Sequence, residues 1–270
     1  MRAVVVKSPG GIEAMQLTNV PDPTLADAAV LIDVAYAGCN WMDTQKRQGV
    51  YPDPVSYPVI LGNEVSGYVS AVGAGVGSIE VGARVAAIVD MGGYAERCVA
   101  EQDSVVILPD AVPLDVGASF QFAALTAYHL LHSAYQIRPD ETVLVHAIGG
   151  GVGLMVTQVA TEMGANVIGT VSSHKSEDRA TEFGAKLVID RSKDDFVEAV
   201  MDFTGGNGVD LVIDSLGGET SLRSFDTLKV YGHLINIGEA EGWTQDDKIR
   251  NKLYERSTSF SGFEMIHANP

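Results

Sequence analysis

Val143-Leu144-Val145-His146-Ala147-Ile148-Gly149-Gly150-Gly151-Val152-Gly153-Leu154 is the stretch on which the fold turns. A short apolar run without alternation meets a cluster of glycines and continues as the start of a helix-like segment. A phosphate-binding turn needs this order. Glycine lets the backbone approach a pyrophosphate, and the first N–H groups of a helix, unpartnered within it, favour negative charge. The strict G-x-G-x-x-G spacing would place glycine at 148, 150 and 153, but position 148 is Ile. A close helix–strand contact without ligand is the alternative these residues leave open.

Outward from this turn, the second half of the chain alternates between two kinds of segment. Apolar strands are predicted at 142–148, 166–171, 186–190, 209–215, 233–238 and 257–263. Helices are predicted between them at 150–165, 177–183, 194–203 and 219–229, and a helix over 115–135 leads into the series. Continuous apolar strands separated by helices, in units of ~25–30 residues, indicate α/β architecture with a doubly wound parallel sheet. The first half has a different pattern. Short runs such as VLIDVAYA (30–37), RVAAIVD (84–90) and SVVILP (104–109) are punctuated by Pro, Gly and Asp, and 67–85 is too rich in glycine for helix. An irregular antiparallel β-barrel is expected there, with the boundary near residue 122.

Composition narrows the function classes. The 270 residues carry a net charge of −17, which repels phosphate backbones and anionic lipid, so no nucleic-acid or membrane partner is expected. Only two cysteines are present, Cys39 and Cys98. They cannot build a disulfide framework or a cysteine-rich zinc site, and a reducing, cytoplasmic location is expected. The second strand ends in Val171-Ser172-Ser173-His174-Lys175-Ser176. An acid at such a strand end would accept from a ribose 2′-hydroxyl. Hydroxyls followed by Lys175 and Arg179 suit a 2′-phosphate instead, and point to NADPH. The bland alternative is that these cations balance Glu177 and Asp178 on a solvated helix start.

A family resemblance rests on motifs spread over nearly the whole chain. They are Ala37-Gly38-Cys39-Asn40-Trp41-Met42-Asp43, Gly49-Val50-Tyr51-Pro52, Pro58-Val59-Ile60-Leu61-Gly62-Asn63-Glu64-Val65-Ser66-Gly67, Val81-Gly82-Ala83-Arg84-Val85, Leu125-Thr126-Ala127-Tyr128 and the Gly150–Leu154 turn. In order and spacing they resemble the medium-chain dehydrogenase/reductase superfamily, in its zinc-independent quinone oxidoreductase (zeta-crystallin-like) branch. The resemblance implies a GroES-like irregular β-barrel catalytic domain over 1–122 and a Rossmann dinucleotide-binding domain over 123–270. Members continue beyond their last dinucleotide-domain strand, so the closing C-terminal elements of the first domain are expected to be missing here.

The resemblance also implies roles. Zinc-dependent members carry Cys and His where this chain has Asn40 and Asn63, so a metal-free site is expected, with Cys39 a buried small hydrophobe. Asn40 and Tyr51 match positions that line the catalytic cleft, where an amide and a phenol can hydrogen-bond a quinone or enone oxygen. A turn aromatic that packs its own loop is the other reading of Tyr51. Thr126, Gly150, Gly151, Val152, Gly153, Ser172, Ser173, Lys175, Arg179, Ile237 and Gly238 match cofactor-binding positions, while Asp190-Arg191 stands where that family often has tyrosine. The implied activity is NADPH-dependent hydride transfer to a quinone or α,β-unsaturated carbonyl. The rivals are an enoyl-thioester reductase, with Tyr51 as proton donor, and an NADPH-binding protein without turnover. The strand at 257–263 would be the outer one, and a homodimer through residues 257–265 is expected.

Overall fold

The apolar runs of the second half are buried on both faces of one parallel sheet, which is why they show no alternation. The structure, a computed structural model, describes residues 1–173, 177–242 and 246–265. It divides into two units, Met1–Phe122 and Ala123–Pro270.

In the first unit, β1 (Arg2–Val6), β2 (Met15–Asn19) and β4 (Val59–Ile60) form a small antiparallel sheet ordered β2-β1-β4. A second antiparallel sheet is ordered β7-β3-β5-β6-β8, from β3 (Ala29–Ala37), β5 (Glu64–Val72), β6 (Arg84–Ile88), β7 (Arg97–Glu101) and β8 (Val105–Ile107). Its register shifts at Leu31/Ile32 and Val34/Tyr36 add twist, and the sheet curls over Val30, Ile32, Val65, Val69, Val85 and Cys98. The first α-helix of the chain escapes the sequence pattern. The helix α1 (Trp41–Gln48) buries Asp43, Lys46 and Arg47 rather than an apolar stripe, so it has no hydrophobic period to read.

The helix α2 (Leu114–His129) runs into the second unit. There the strands are β9 (Thr142–Val145), β10 (Asn166–Val171), β11 (Leu187–Asp190), β12 (Val209–Asp214), β13 (Leu228–Asn236) and β14 (Ser259–Gly262). The helices are α3 (Gly151–Glu162), α4 (Glu177–Glu182), α5 (Phe196–Phe203), α6 (Gly218–Ser224) and α7 (Asp246–Arg256). The sheet order is β11-β10-β9-β12-β13-β14, all parallel. Odd residues Val143, Val145, Val167, Leu211 and Ile213 pack on one face with Val156 and Ala160 of α3 and Ala180 of α4. Even residues Leu144, Ile168, Val212 and Leu234 pack on the other with Phe196, Val200, Leu222 and Ile249 from α5, α6 and α7. The helix predicted over 219–229 stops at Ser224. Leu222, Phe225 and Leu228 have helical spacing, yet they reach the same core as helix, 3-10 turn and strand.

His146 ties the centre of the sheet together. Ser224 Oγ donates to the carbonyl of Thr220 at 2.7 Å, so His146 Nε2–H donates to Ser224 Oγ (2.7 Å) and Nδ1 accepts from Thr170 (2.9 Å). Burial, with the Arg191 charge adding to it, pushes this imidazole down to about 3 from its ordinary 6.5. The unfolded chain therefore takes up a proton that the folded chain refuses, and stability falls as pH drops from 6.5 toward 3. Denaturant titrations from pH 7 to 4 should show a shallower loss for His146→Gln, by up to ~1.4 kcal/mol per pH unit. Equal slopes for variant and wild type would rule out a neutral buried His146.

Candidate functional site

In the first unit, two turns converge where β3 ends and β5 begins. Only glycine fits at 38, because a Cβ there would lie 2.2 Å from the carbonyl of Ala118 and 2.5 Å from Glu64. That close approach lets α1 start at once, with Asn40 as N-cap. Asp43, 6% exposed, accepts from Asn40 N–H at 2.9 Å, from Gly62 N–H at 3.1 Å and from the Tyr94 hydroxyl at 2.8 Å. Burial and the neighbouring Asp43 charge push the Tyr94 phenol well above its ordinary range, so it stays a donor.

The side chain of Asn40 points into the same network. Its Nδ2 donates to Asn63 Oδ1 at 3.0 Å and to Glu64 Oε1 at 3.1 Å, while Asn63 Nδ2 rests on Met42 Sδ at 3.0 Å. Glu64, 2% exposed, also accepts from Phe122 N–H at 3.0 Å. Burial raises its carboxyl above the ordinary carboxylate value, against the pull of Phe122 N–H and the Asn40 amide. The structure thus brings together the two asparagines expected to replace metal ligands. Among the described residues, no group of three or more His, Cys, Asp or Glu side chains is placed to hold a metal ion.

Tyr51 lies beyond the left-handed C-cap Gly49 (φ 74°), half-buried, with the Lys46 ammonium 5.0 Å from its ring centre. Cys39 departs from expectation: it is an exposed residue whose thiol meets the Tyr94 hydroxyl, and Cys98 is the buried thiol. Glu64, Asp43 and Tyr94 went unassigned in the sequence. A carboxylate beside two asparagines, one adjacent and one more than twenty positions away, leaves no local pattern.

In the second unit, the expected cofactor residues gather at the carboxyl ends of the strands. The Gly150–Gly153 turn follows β9, Ser172 and Ser173 follow β10, and Ile237 and Gly238 follow β13. The strand order reverses between β9 and β12, and such a switch point is where an open α/β sheet binds its ligand. The glycines differ in purpose. A Cβ at Gly153 would meet the carbonyls of Ile148 and Ala147 at 2.6 and 2.7 Å, so this glycine seats α3 against β9. At Gly151 a Cβ would meet only Ala123 Cβ at 3.8 Å, an ordinary contact, so this first residue of α3 has room for a side chain. Thr126, buried on α2, lies one turn beyond Ala123. Ser172, Ser173 and Arg179 are exposed, and no carboxylate stands at the end of β10. Lys175 lies outside the described residues. This rim fits a dinucleotide carrying a 2′-phosphate. Arg191 does not reach for it: its guanidinium pairs with Glu241 at 3.0 Å and donates to Thr220 Oγ1 at 3.1 Å. Beside them Asp214, raised by burial, accepts from Leu216 N–H and Gly217 N–H at 2.9 and 3.2 Å.

Comparison with known proteins places both units. Residues 26–133 match the alcohol dehydrogenase GroES-like domain family, and residues 151–269 match the zinc-binding dehydrogenase family. The quinone oxidoreductase of Salmonella typhimurium is 39% identical over 260 residues, covering 94% of this chain and 79% of that protein. The crystal structure of Escherichia coli quinone oxidoreductase complexed with NADPH superposes with a TM-score of 0.93 at 33% identity, covering 99% of this chain and 82% of that one. The CurK enoyl reductase structure gives 0.88 at 28% identity, with coverage of 99% and 82%.

The two glycines can be told apart by substitution. Gly153→Ala should lower unfolding free energy by about 1–3 kcal/mol through overpacking against backbone. Gly151→Ala should leave it within ~0.5 kcal/mol. Chemical denaturation of both variants checks this, and equal losses would show that the turn has no such division of roles.

Proposed function

The chain belongs to the quinone oxidoreductase branch of the medium-chain dehydrogenase/reductase superfamily, and from that premise we propose a zinc-free reductase passing a hydride from NADPH to a quinone or an α,β-unsaturated carbonyl. The carrying observation is the rim of the parallel sheet, where the glycine turn opens α3 at the strand-order switch point and hydroxyls replace the acid at the end of β10. Residues 1–122 act as the catalytic domain and 123–270 as the dinucleotide-binding domain.

The Gly150–Gly153 turn holds the pyrophosphate through N–H groups at the start of α3. Ser172, Ser173, Lys175 and Arg179 hold the 2′-phosphate, and Thr126, Ile237 and Gly238 complete the cofactor contacts. When bound, NADPH supplies the hydride, while the protein orients the acceptor and keeps water away. Tyr51 donates its hydroxyl to the acceptor oxygen as charge develops there. Asn40 cannot donate in the same way, because both of its amide hydrogens are already engaged by Asn63 and Glu64. No zinc is needed for this chemistry, since two neutral amides are poor replacements for thiolate and imidazole. The likeness to the CurK enoyl reductase favours a second reading, reduction of an enoyl thioester. Two free cysteines fit a cytoplasmic location.

We also propose a homodimer through residues 257–265. β14 ends the sheet order with one side unpaired by any described strand, and Phe260 on it is 36% exposed. Phe263 is partly buried, packed against the core of the second unit.

NADPH should bind ~10–100-fold tighter than NADH, and Lys175→Ala with Arg179→Ala should shrink that ratio. Equal dissociation constants would reject the assignment. Initial rates with a quinone, an enone and an enoyl thioester, before and after chelator, separate the acceptor classes, and a chelator-sensitive rate would overturn the metal-free site. Light scattering should give twice the monomer mass, and Phe260→Asp should lower it. A monomer at high concentration would contradict the edge contact.

A further inference from the structure

The last turn of α1 buries two positive charges with no counter-charge opposite them. Lys46 is 7% exposed and Arg47 9%, and Arg47 Nε is sealed from solvent without a hydrogen-bond partner. Among the described residues, neither side chain has an ion pair or donates a hydrogen bond, although the chain carries 35 Asp and Glu. The Lys46 ammonium meets the face of Tyr51, 5.0 Å from its ring centre, a weak attraction that neutralises nothing.

The usual duties of cations at a helix end are taken by other groups. Asp43, one turn back on α1, is filled by Asn40 N–H, Gly62 N–H and the Tyr94 hydroxyl. The terminal carbonyls are capped as well. Gln45 accepts from Val50 N–H at 3.0 Å, Lys46 from Gly49 N–H at 3.2 Å and from the Tyr57 hydroxyl, and Arg47 from Gly10 N–H at 3.0 Å. What remains is the pull of the helix dipole, a fraction of what it costs to desolvate an unpaired ion. Two like charges on successive residues add their own repulsion. An anion set against them relieves both penalties.

We propose that Lys46 and Arg47 form an anion site in the first unit, and that it takes a carboxylate carried by the acceptor. This rests on reading Tyr51 as the donor to the acceptor carbonyl, since the Lys46 ammonium lies against that ring. The acceptor class is then an acidic quinone or enone, with its carboxylate a few bonds from the carbonyl that meets Tyr51. Lys46 supplies a point charge, and Arg47 a planar fork that matches a carboxylate. The carboxylate is a handle and does not react. A hydride from NADPH and one proton reduce the conjugated carbonyl group, NADP⁺ is left, and the anion keeps its charge.

The test is calorimetry at pH 7, on the full chain, with β-benzoylpropionate and its methyl ester. The two share a ring and a ketone, differ in charge, and carry no C=C bond to alkylate a thiol. The net charge of −17 repels an anion, so unspecific binding favours the ester. The site reverses that order: wild type should hold the carboxylate about 10-fold tighter, the scale of one charge-assisted hydrogen bond. Lys46→Met and Arg47→Gln should each shrink the ratio, and the double variant should bring it close to 1. Without ligand, Lys46→Met should unfold at the same denaturant concentration as wild type or a higher one, since it removes an unpaired buried charge. A lower midpoint would mean that Lys46 already has its counter-charge, and would overturn the proposal. Where Arg47→Gln fails to fold, Lys46→Met carries the test. An ester that binds wild type as tightly as the carboxylate, or a ratio untouched by Lys46→Met, would overturn it too. NADPH oxidation with a neutral quinone is measured separately. Its absence alongside the expected ratio would sink the reductase reading and leave the anion site standing.

Discussion

A carboxylate taken out of water must be met by donors on every side, or it destabilises whatever buries it. Both units are arranged around that requirement. In the first, Asp43 collects Gly62 N–H, Asn40 N–H and the Tyr94 hydroxyl, and Glu64 collects Phe122 N–H and the Asn40 amide. In the second, Asp214 collects Leu216 N–H, Gly217 N–H and the Asn236 amide where β12 ends. Each set draws a loop inward to satisfy an acid, and each loop borders a proposed ligand position. The acids act as organisers of these loops.

The same constraint limits what the neighbours can do. Asn40 gives both amide hydrogens to the organising network, and its side chain accepts the Asp43 N–H in the capping box of α1. Arg191 is likewise engaged, by Glu241 and Thr220, although it follows the strand next to Ser172 and its N–H donates to Val171 O at 3.0 Å. At the end of β10 the described rim then presents the exposed Ser172 and Ser173 and, on α4, Arg179. His146, neutral and buried under the same rim, contributes rigidity without charge.

The parallel sheet was legible because its strands are buried on both faces, which writes long apolar runs such as Val143–Val145 and Leu211–Ile213 into the sequence. The glycine turn was legible for a steric reason, since Gly153 tolerates no Cβ. The charged face of α1 was not, because Asp43, Lys46 and Arg47 are buried there in place of an apolar stripe, and no periodicity announces them. Nor was the network of Glu64, Tyr94 and Phe122, whose members lie far apart along the chain and meet only through the curl of the antiparallel sheet. Cys39 differs from expectation for the same reason: its residue type says nothing about whether the turn it sits on is buried.

The most direct measurement is the stoichiometry of a single turnover in the absence of oxygen, with NADPH deuterated at the transferring position of C4 and excess quinone. Two-electron hydride transfer predicts one hydroquinone formed per NADPH consumed, with the deuterated cofactor reacting more slowly. NADPH loss without hydroquinone, or no loss above the enzyme-free rate, would contradict the account.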